Sequence, residues 1–217
     1  MKIVERTAYI NEIQDLLQTP DIKVITGVRR SGKSKLLESL VNYLQSHDQQ
    51  ANIIHINFNL TEYEDLLEYH ALERYVEEHY RSGVNNYLLI DEIQMCLSFE
   101  KAINSLHSKE KYDIYITGSN AFLQSSDLAT LFVGRTYELH VFPFSFKEYT
   151  DYFPTGNLYG SFSDYIKEGG MAGSYLYKNE LQKYRYINNE VLNALIVRLP
   201  LSETSEIWLT VLSEVTN

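Results

Sequence analysis

The chain is poor in the residues that would mark a secreted, metal-bound or membrane-spanning protein. Its 217 residues include 1 cysteine, 1 tryptophan and 4 prolines. A lone cysteine, Cys96, cannot close an internal disulfide, so nothing calls for an oxidising compartment; with no activating histidine nearby it reads as a small apolar filler. The 6 histidines are scattered without metal-ligand spacing, which argues against a zinc site. No apolar stretch is long enough to span a bilayer, and residues 1–18 are too acidic and polar for a signal peptide. No membrane partner is expected, and the cytoplasm is the expected location. Positive charge is scarce too: 19 Lys and Arg face 29 Asp and Glu, for a formal net charge of -10. That balance argues against a chain-wide nucleic-acid footprint but leaves room for a local basic patch. Internal repeats and low-complexity tracts are also missing.

What is present is globular. Hydrophobic residues make up 44% and charged residues 22%, enough for one well-packed domain and part of a second. The 18 tyrosines suit half-buried positions where the ring packs and the hydroxyl stays wet.

The stretch that organises the chain is 27–34, GVRRSGKS, which fits G-x-x-x-x-G-K-S/T at Gly27, Gly32, Lys33 and Ser34. An apolar, β-branched run, IKVIT, precedes it, and Leu36, Leu37, Leu40, Val41 and Leu44 follow at helical spacing. A strand, a tight loop and a helix N-terminus in that order aim backbone N–H groups at a phosphate. Arg30, Ser31, Gly32, Lys33, Ser34 and Lys35 are the expected nucleotide contacts, together with Gly27. Lys33 would reach the β- and γ-phosphates, and Ser34 would ligate Mg2+. Of Arg29 and Arg30, one is expected at phosphate and the other in solvent.

Strand and helix patterns alternate through the rest. Residues 1–21 read as an entry helix carrying Arg6 and Tyr9, placed either over a nucleotide base or simply packed on the sheet edge. Strands are expected at 52–58, 87–90, 113–117 and 137–142, and helices at 99–106 and 126–133. Thr61 and Glu64 form a capping-box pattern opening a helix to Arg81, with Gly83 ending it. Alternation of this kind means an α/β fold, three layers with a parallel five-stranded sheet covered on both faces. Beyond Pro143 the character changes. Ser145 and Glu148 form a second capping box before the aromatic helix FKEYTDYF, residues 160–173 look turn-rich around one small helix, and a long helix runs from 179 to 199. A last short helix is sketched at 207–215. The division expected is a P-loop core at 1–155 and a helical segment at 156–217.

The second acidic element is Asp91-Glu92, at the carboxyl end of the apolar strand YLLI. In a parallel α/β sheet the ligand crevice lies outside those strand ends. Asp91 would hold Mg2+ through its water shell, and Glu92, projecting to the other side, would polarise the attacking water. No N-K-x-D base-reading motif occurs, and a small-molecule kinase would not need the second carboxylate, so ATP hydrolysis fits best. Ser119 and Asn120 follow the next strand, where a polar side chain can sense the γ-phosphate; turn chemistry explains Gly-Ser-Asn equally well. Arg135 could stabilise γ-phosphate charge in cis or from a neighbouring subunit, or simply complement a helix C-terminus.

Together GVRRSGKS, LLIDEIQ, DIYITGSNAFL, SSDLATLFVGR and VFPFSFKEY resemble the bacterial and archaeal AAA-type ATP-binding proteins that carry an ATPase core before a C-terminal domain of unknown function. The match covers roughly residues 1–150. The resemblance implies a P-loop NTPase core with sheet order 5-1-4-3-2, ATP and Mg2+ as ligands, Glu92 as catalytic glutamate, Asn120 as first sensor, and support for Arg135. Two features depart from the family. Gly169-Gly170-Met171-Ala172 stands where Gly-Gly-aromatic-Pro is frequent, and the chain stops near the point where the family's C-terminal domain begins, so 156–217 is expected to be the start of a truncated domain. The missing part would hold a winged-helix-like region and a nuclease-like fold. Three functions follow: a Mg2+-dependent ATPase driving a conformational output, a nucleotide-gated switch that docks a protein partner or a second copy, and a DNA-associated ATPase, which the acidic balance opposes.

Overall fold

The structure, a computed structural model, describes residues 4–118, 132 and 134–189. Helix α1 (Thr7–Asp15) leads into β1 (Ile22–Thr26), followed by α2 (Lys33–His47), β2 (Asn52–Asn57), α3 (Tyr69–Glu78), β3 (Asn86–Asp91), α4 (Phe99–Ser108), β4 (Asp113–Thr117) and β5 (Thr136–His140). Three helices close the described chain: α5 (Phe146–Tyr152), α6 (Leu158–Glu168) and α7 (Glu180–Ile187). The five strands pair in parallel in the order β2-β3-β4-β1-β5, the expected 5-1-4-3-2 read from the other edge.

Period-2 alternation divides the core between the two faces of the sheet. Leu88 and Ile90 of β3, with Ile114 and Ile116 of β4, pack on α3 and α4 through Leu72, Val76, Phe99 and Ile103. Their alternates Tyr87, Leu89 and Tyr115 face α1 and α2 through Ile10, Ile13, Leu36, Leu37 and Leu40. That is the three-layer arrangement, and removing any one of these leucines to Ala would cost about 2–5 kcal/mol. At the amino end of the sheet Lys23 is buried against Asp113, with Nζ to Oδ1 at 2.5 Å. Asp113 also accepts from the Tyr115 hydroxyl at 3.1 Å and the Gln18 amide at 2.9 Å, while Lys23 donates to the Thr19 carbonyl at 2.8 Å.

Two expected helices differ. Thr61 and Glu64 form no cap; residues Thr61–Leu66 make a 3-10 turn and α3 starts only at Tyr69. The interruption comes from tertiary pairing: the Leu97 amide donates to the Leu67 carbonyl at 2.7 Å, and Glu68 bridges Leu97 in extended conformation. Helix α3 ends at Glu78, well before Gly83. The second difference is α6, where one small helix among turns was expected and an 11-residue helix starting at Leu158 forms. It contains Gly160 because the N-cap Asn157 side chain accepts from the Gly160 amide at 3.1 Å, and a Cβ there would stand 2.8 Å from Asn157 Nδ2.

The second capping box forms as expected. The Ser145 hydroxyl accepts from the Glu148 amide, and Glu148 Oε2 accepts from the Ser145 amide at 2.8 Å. Aromatic rings then run across residue 155: Phe146 meets Phe162 at 5.2 Å, Tyr149 meets Tyr165 at 5.4 Å, and Phe153 meets Tyr175 at 5.3 Å. By its packing α5 goes with the helices after it rather than with the core. The helix expected at 126–133, the remainder of the 179–199 helix and the 207–215 helix lie outside the described residues. No described helix is long and apolar enough to cross a membrane.

Candidate functional site

The loop between β1 and α2 takes a conformation that its glycines make possible. Gly27 has φ +146°, and a Cβ on it would lie 2.3 Å from the Val141 carbonyl oxygen, so only hydrogen fits. Arg30 has φ +65° and Gly32 φ +105°, which turn the chain sharply into the first turn of α2. Lys33 opens that helix, buried, with Nζ folded back onto the Gly27 carbonyl at 2.9 Å and the Val28 carbonyl at 3.2 Å. Its ammonium thus lies inside the ring of the loop. Ser34 follows, half-buried, while Lys35 turns to the surface and pairs with Glu38 at 2.6 Å. The Arg30 guanidinium lies over the Tyr186 ring, 5.3 Å from its centroid, and Arg29 is exposed at the cavity rim.

Parallel pairing brings the carboxyl ends of β1, β4 and β3 side by side, with β4 in the middle. Asp91, the last residue of β3, is 1% exposed and accepts a hydrogen bond from the Thr117 hydroxyl at the end of β4. Glu92 then adopts φ +58° and ψ +47°, left-handed for a residue with a side chain, and its amide donates to Thr117 Oγ1 at 3.2 Å. The Glu92 side chain lines the same cavity as the loop. Gln94 Nε2 donates to its carboxylate. Burial pushes the neighbouring His55 imidazole below its usual range, against the opposing pull of Asp91 and Glu38.

The loop and Glu92 meet at a cavity of about 370 Å³. Residues 29–36 and Glu92 form one wall; Phe144, Gly173, Leu176, Tyr177 and Tyr186 of the helical segment form the other. The volume lies within the ordinary range for small-ligand sites of roughly 300–1,000 Å³. The Gly169-Gly170 junction supports this wall. The Phe144 amide donates to the Gly170 carbonyl at 2.7 Å, and a Cβ on Gly170 would lie 2.2 Å from the Phe144 carbonyl oxygen. Met171 and Ala172, the departure from the frequent Gly-Gly-aromatic-Pro, lead directly into the 3-10 turn Ala172–Leu176.

Gly27, Arg30, Ser31, Gly32, Lys33, Ser34 and Glu92 therefore come together, with Asp91 beside them. Lys35 reaches only the rim. Ser119 and Asn120 lie outside the described residues. Arg135 stands elsewhere: it is exposed, its carbonyl accepts from the Ile22 amide at 2.8 Å at the start of β1, and Nη1 reaches Asn104 Oδ1 at 3.3 Å. It sits at the amino end of the strands, whereas the loop sits at their carboxyl end, about 15 Å of strand away. Action in cis is thereby corrected. Arg6 lines the cavity with its guanidinium bonded to backbone and to Glu148, and the Tyr9 hydroxyl accepts from the Phe142 amide at 3.1 Å, so both pack against the chain. Cys96 is buried, its thiol pushed up to about 12 by burial and then by Glu68 and Glu100, which suits a filler. Sequence reading missed Thr117, whose signal is a hydroxyl at the end of a strand adjoining that of Asp91, and the cavity wall formed by Phe144, Gly173, Leu176, Tyr177 and Tyr186, which carries no motif.

The chain has relatives both by sequence and by fold. The chain is 40% identical over 149 residues to an uncharacterised protein of Haemophilus influenzae, covering 68% of this chain and 37% of that protein. It is 30% identical over 158 residues to one from Methanocaldococcus jannaschii, covering 69% and 33%. The chain thus spans about a third of the length of these curated relatives. Solved structures share the fold. Hsp104 of S. cerevisiae in its ADP complex has a TM-score of 0.57 at 16% identity, over 70% of this chain and 24% of that one. ORC1 of Aeropyrum pernix in complex with DNA gives 0.53 at 12%, over 69% and 48%. Domain III of the Thermotoga maritima replication initiation protein DnaA gives 0.50 at 17%, over 92% of each chain. Residues 19–150 match the family described as an AAA domain, and the chain belongs to that family.

Proposed function

We propose that the chain binds ATP with Mg2+ and hydrolyses it to ADP and phosphate, with the helical segment 143–186 sensing the nucleotide. The observation that carries this reading is the single cavity shared by the Lys33 loop and Glu92, with Asp91 fixed beside it through Thr117. Lys33 would exchange the Gly27 and Val28 carbonyls for phosphate oxygens, and the loop amides would bind the rest. Ser31 Oγ is buried and without a partner among the described residues, which suits a donor awaiting an acceptor from the ligand.

Ser34 and Asp91 fit Mg2+ by donor chemistry. The ion needs one or two protein oxygens when phosphates and waters supply the rest, and no cluster of three or more His, Cys, Asp or Glu gathers among the described residues. Bound there, Mg2+ would neutralise phosphate charge. Glu92, held by Gln94 on the cavity wall, would accept a proton from the attacking water. Asn120 is proposed as the γ-phosphate sensor.

The position of Arg135 favours a second reading in which a lone chain holds nucleotide as a switch and turns it over only when a neighbouring copy supplies the arginine. Steady-state phosphate release measured across a protein concentration series separates the two. Turnover proportional to concentration supports the self-sufficient ATPase; turnover rising more steeply, and lost in Arg135→Ala, supports completion in trans. DNA is a partner in the ORC1 structure; for this acidic chain, failure to bind duplex DNA at low salt would remove that option.

A further inference from the structure

We propose that Arg6 is a positioning residue that clasps the phosphate loop to the helical segment, so that the shape of one sets the seat of the other. The proposal rests on the nucleotide reading of the cavity. Arg6 precedes α1 and is 5% exposed. Its Nη1 donates to the Ser31 carbonyl at 3.0 Å, inside the loop itself. Nη2 donates to the Phe142 carbonyl at 2.9 Å, where the chain leaves β5 for the helical segment. Nε and Nη2 meet the Glu148 carboxylate at 2.6 and 3.2 Å. The rings of Tyr9 and Phe144 flank the guanidinium at 4.4 and 5.5 Å.

Three separate parts of the chain converge on one planar group whose donors are fixed relative to each other. A shift of the Ser31 carbonyl must move the guanidinium, and the guanidinium must move Glu148. Glu148 also closes the cap of α5 by accepting from the Ser145 amide and hydroxyl at 2.8 and 2.9 Å, so its displacement reorients that helix at its origin. The Phe144–Gly170 backbone bond then carries the displacement to the wall that bears Tyr177 and Tyr186. Glu148 itself does not line the cavity. An effect of Glu148 on the ligand must therefore pass through its neighbours, Arg6 on the loop side and the α5 cap with Phe144 on the other. Lysine cannot replace this residue, since an ammonium on a flexible stem does not bridge three acceptors in fixed directions.

The test is amide hydrogen exchange across the whole chain, without nucleotide, for wild type, Arg6→Met, Glu148→Gln and the double variant, followed by MgADP titration of each and of Arg6→Lys. Glutamine at 148 keeps the capping pattern with Ser145 while surrendering the charge. Each single variant is expected to speed exchange about tenfold both at 27–34 and at 146–149, and the double variant to add little. Affinity for MgADP should fall at least about tenfold in Glu148→Gln, and Arg6→Lys should not restore what Arg6→Met loses. The clasp is overturned if exchange rises only in the segment that carries the substitution, or if affinity is unchanged while melting temperature falls. If wild type binds no MgADP, the nucleotide reading fails on its own, and the exchange comparison still decides whether the two segments are coupled.

Discussion

Thr117 Oγ1 donates a hydrogen bond to the Asp91 carboxylate and accepts one from the Glu92 amide, so one hydroxyl on β4 orients both members of the acidic pair at the end of β3. Replacing it by the isosteric valine leaves a buried carboxylate short of a donor, a cost of about 1–3 kcal/mol. With Asp91 in the Mg2+ role proposed for it, loss of such a partner typically lowers activity about 10–100-fold. Thr117→Val is therefore expected to bind nucleotide and turn it over 10–100-fold more slowly, as read from phosphate release at saturating ATP; full turnover would remove Thr117 from the site.

Gly27→Ala should fail for a steric reason that nucleotide cannot relieve. The new Cβ would sit 2.3 Å from the Val141 carbonyl oxygen at a φ of +146°. The backbone angle alone costs on the order of 1–3 kcal/mol. Thermal unfolding should show a lowered midpoint and titration no nucleotide binding; a variant with wild-type melting and binding would mean that the loop does not take this conformation.

At the opposite end of the sheet, Lys23 and Asp113 form an ion pair with each side chain 1% exposed. Asp113→Ala strands a buried ammonium and is expected to destabilise by about 3–5 kcal/mol. The double change Lys23→Met with Asp113→Leu should recover most of that, because desolvation of both charges is removed together. Denaturant unfolding of wild type and both variants checks this, and equal losses in single and double variants would show that the pair is not the source.

Stability should also fall in acid. Burial pushes Glu148 up, but hydrogen bonds from Arg6 and Ser145 outweigh it and hold the carboxyl below its usual value of 4.5. Lys109, then Ser105, lower Glu73 in the same way. With folded values below unfolded ones, the stabilisation is present above about pH 4.5 and lost as pH falls through the folded values. Urea midpoints should decline below that pH, with a shallower decline in Glu148→Gln; an unchanged slope would mean that Glu148 contributes none of it.

Legibility in the sequence followed the range of the interactions. β1 occupies the residues its pattern indicates, Ile22–Thr26, because β-branched burial is a local signal. Two S/T-x-x-E patterns had opposite fates. Ser145 and Glu148 close a capping box, whereas at Thr61 and Glu64 the pairing of residues 67 and 68 with Leu97, about 30 positions away, leaves a 3-10 turn. Thr117 escaped notice because its partner lies across a strand pair. The placement of Arg135 was legible in principle: in a parallel sheet, a residue just before a strand lies at the end opposite the ligand crevice.

Measuring MgATP binding and phosphate release for wild type, Lys33→Ala and Glu92→Gln side by side decides whether this cavity is an ATPase site. Wild type should bind and turn over, Lys33→Ala should bind at least about 100-fold more weakly, and Glu92→Gln should bind like wild type without turnover. Binding by Lys33→Ala as tight as that of wild type, or undiminished turnover by Glu92→Gln, would contradict that assignment.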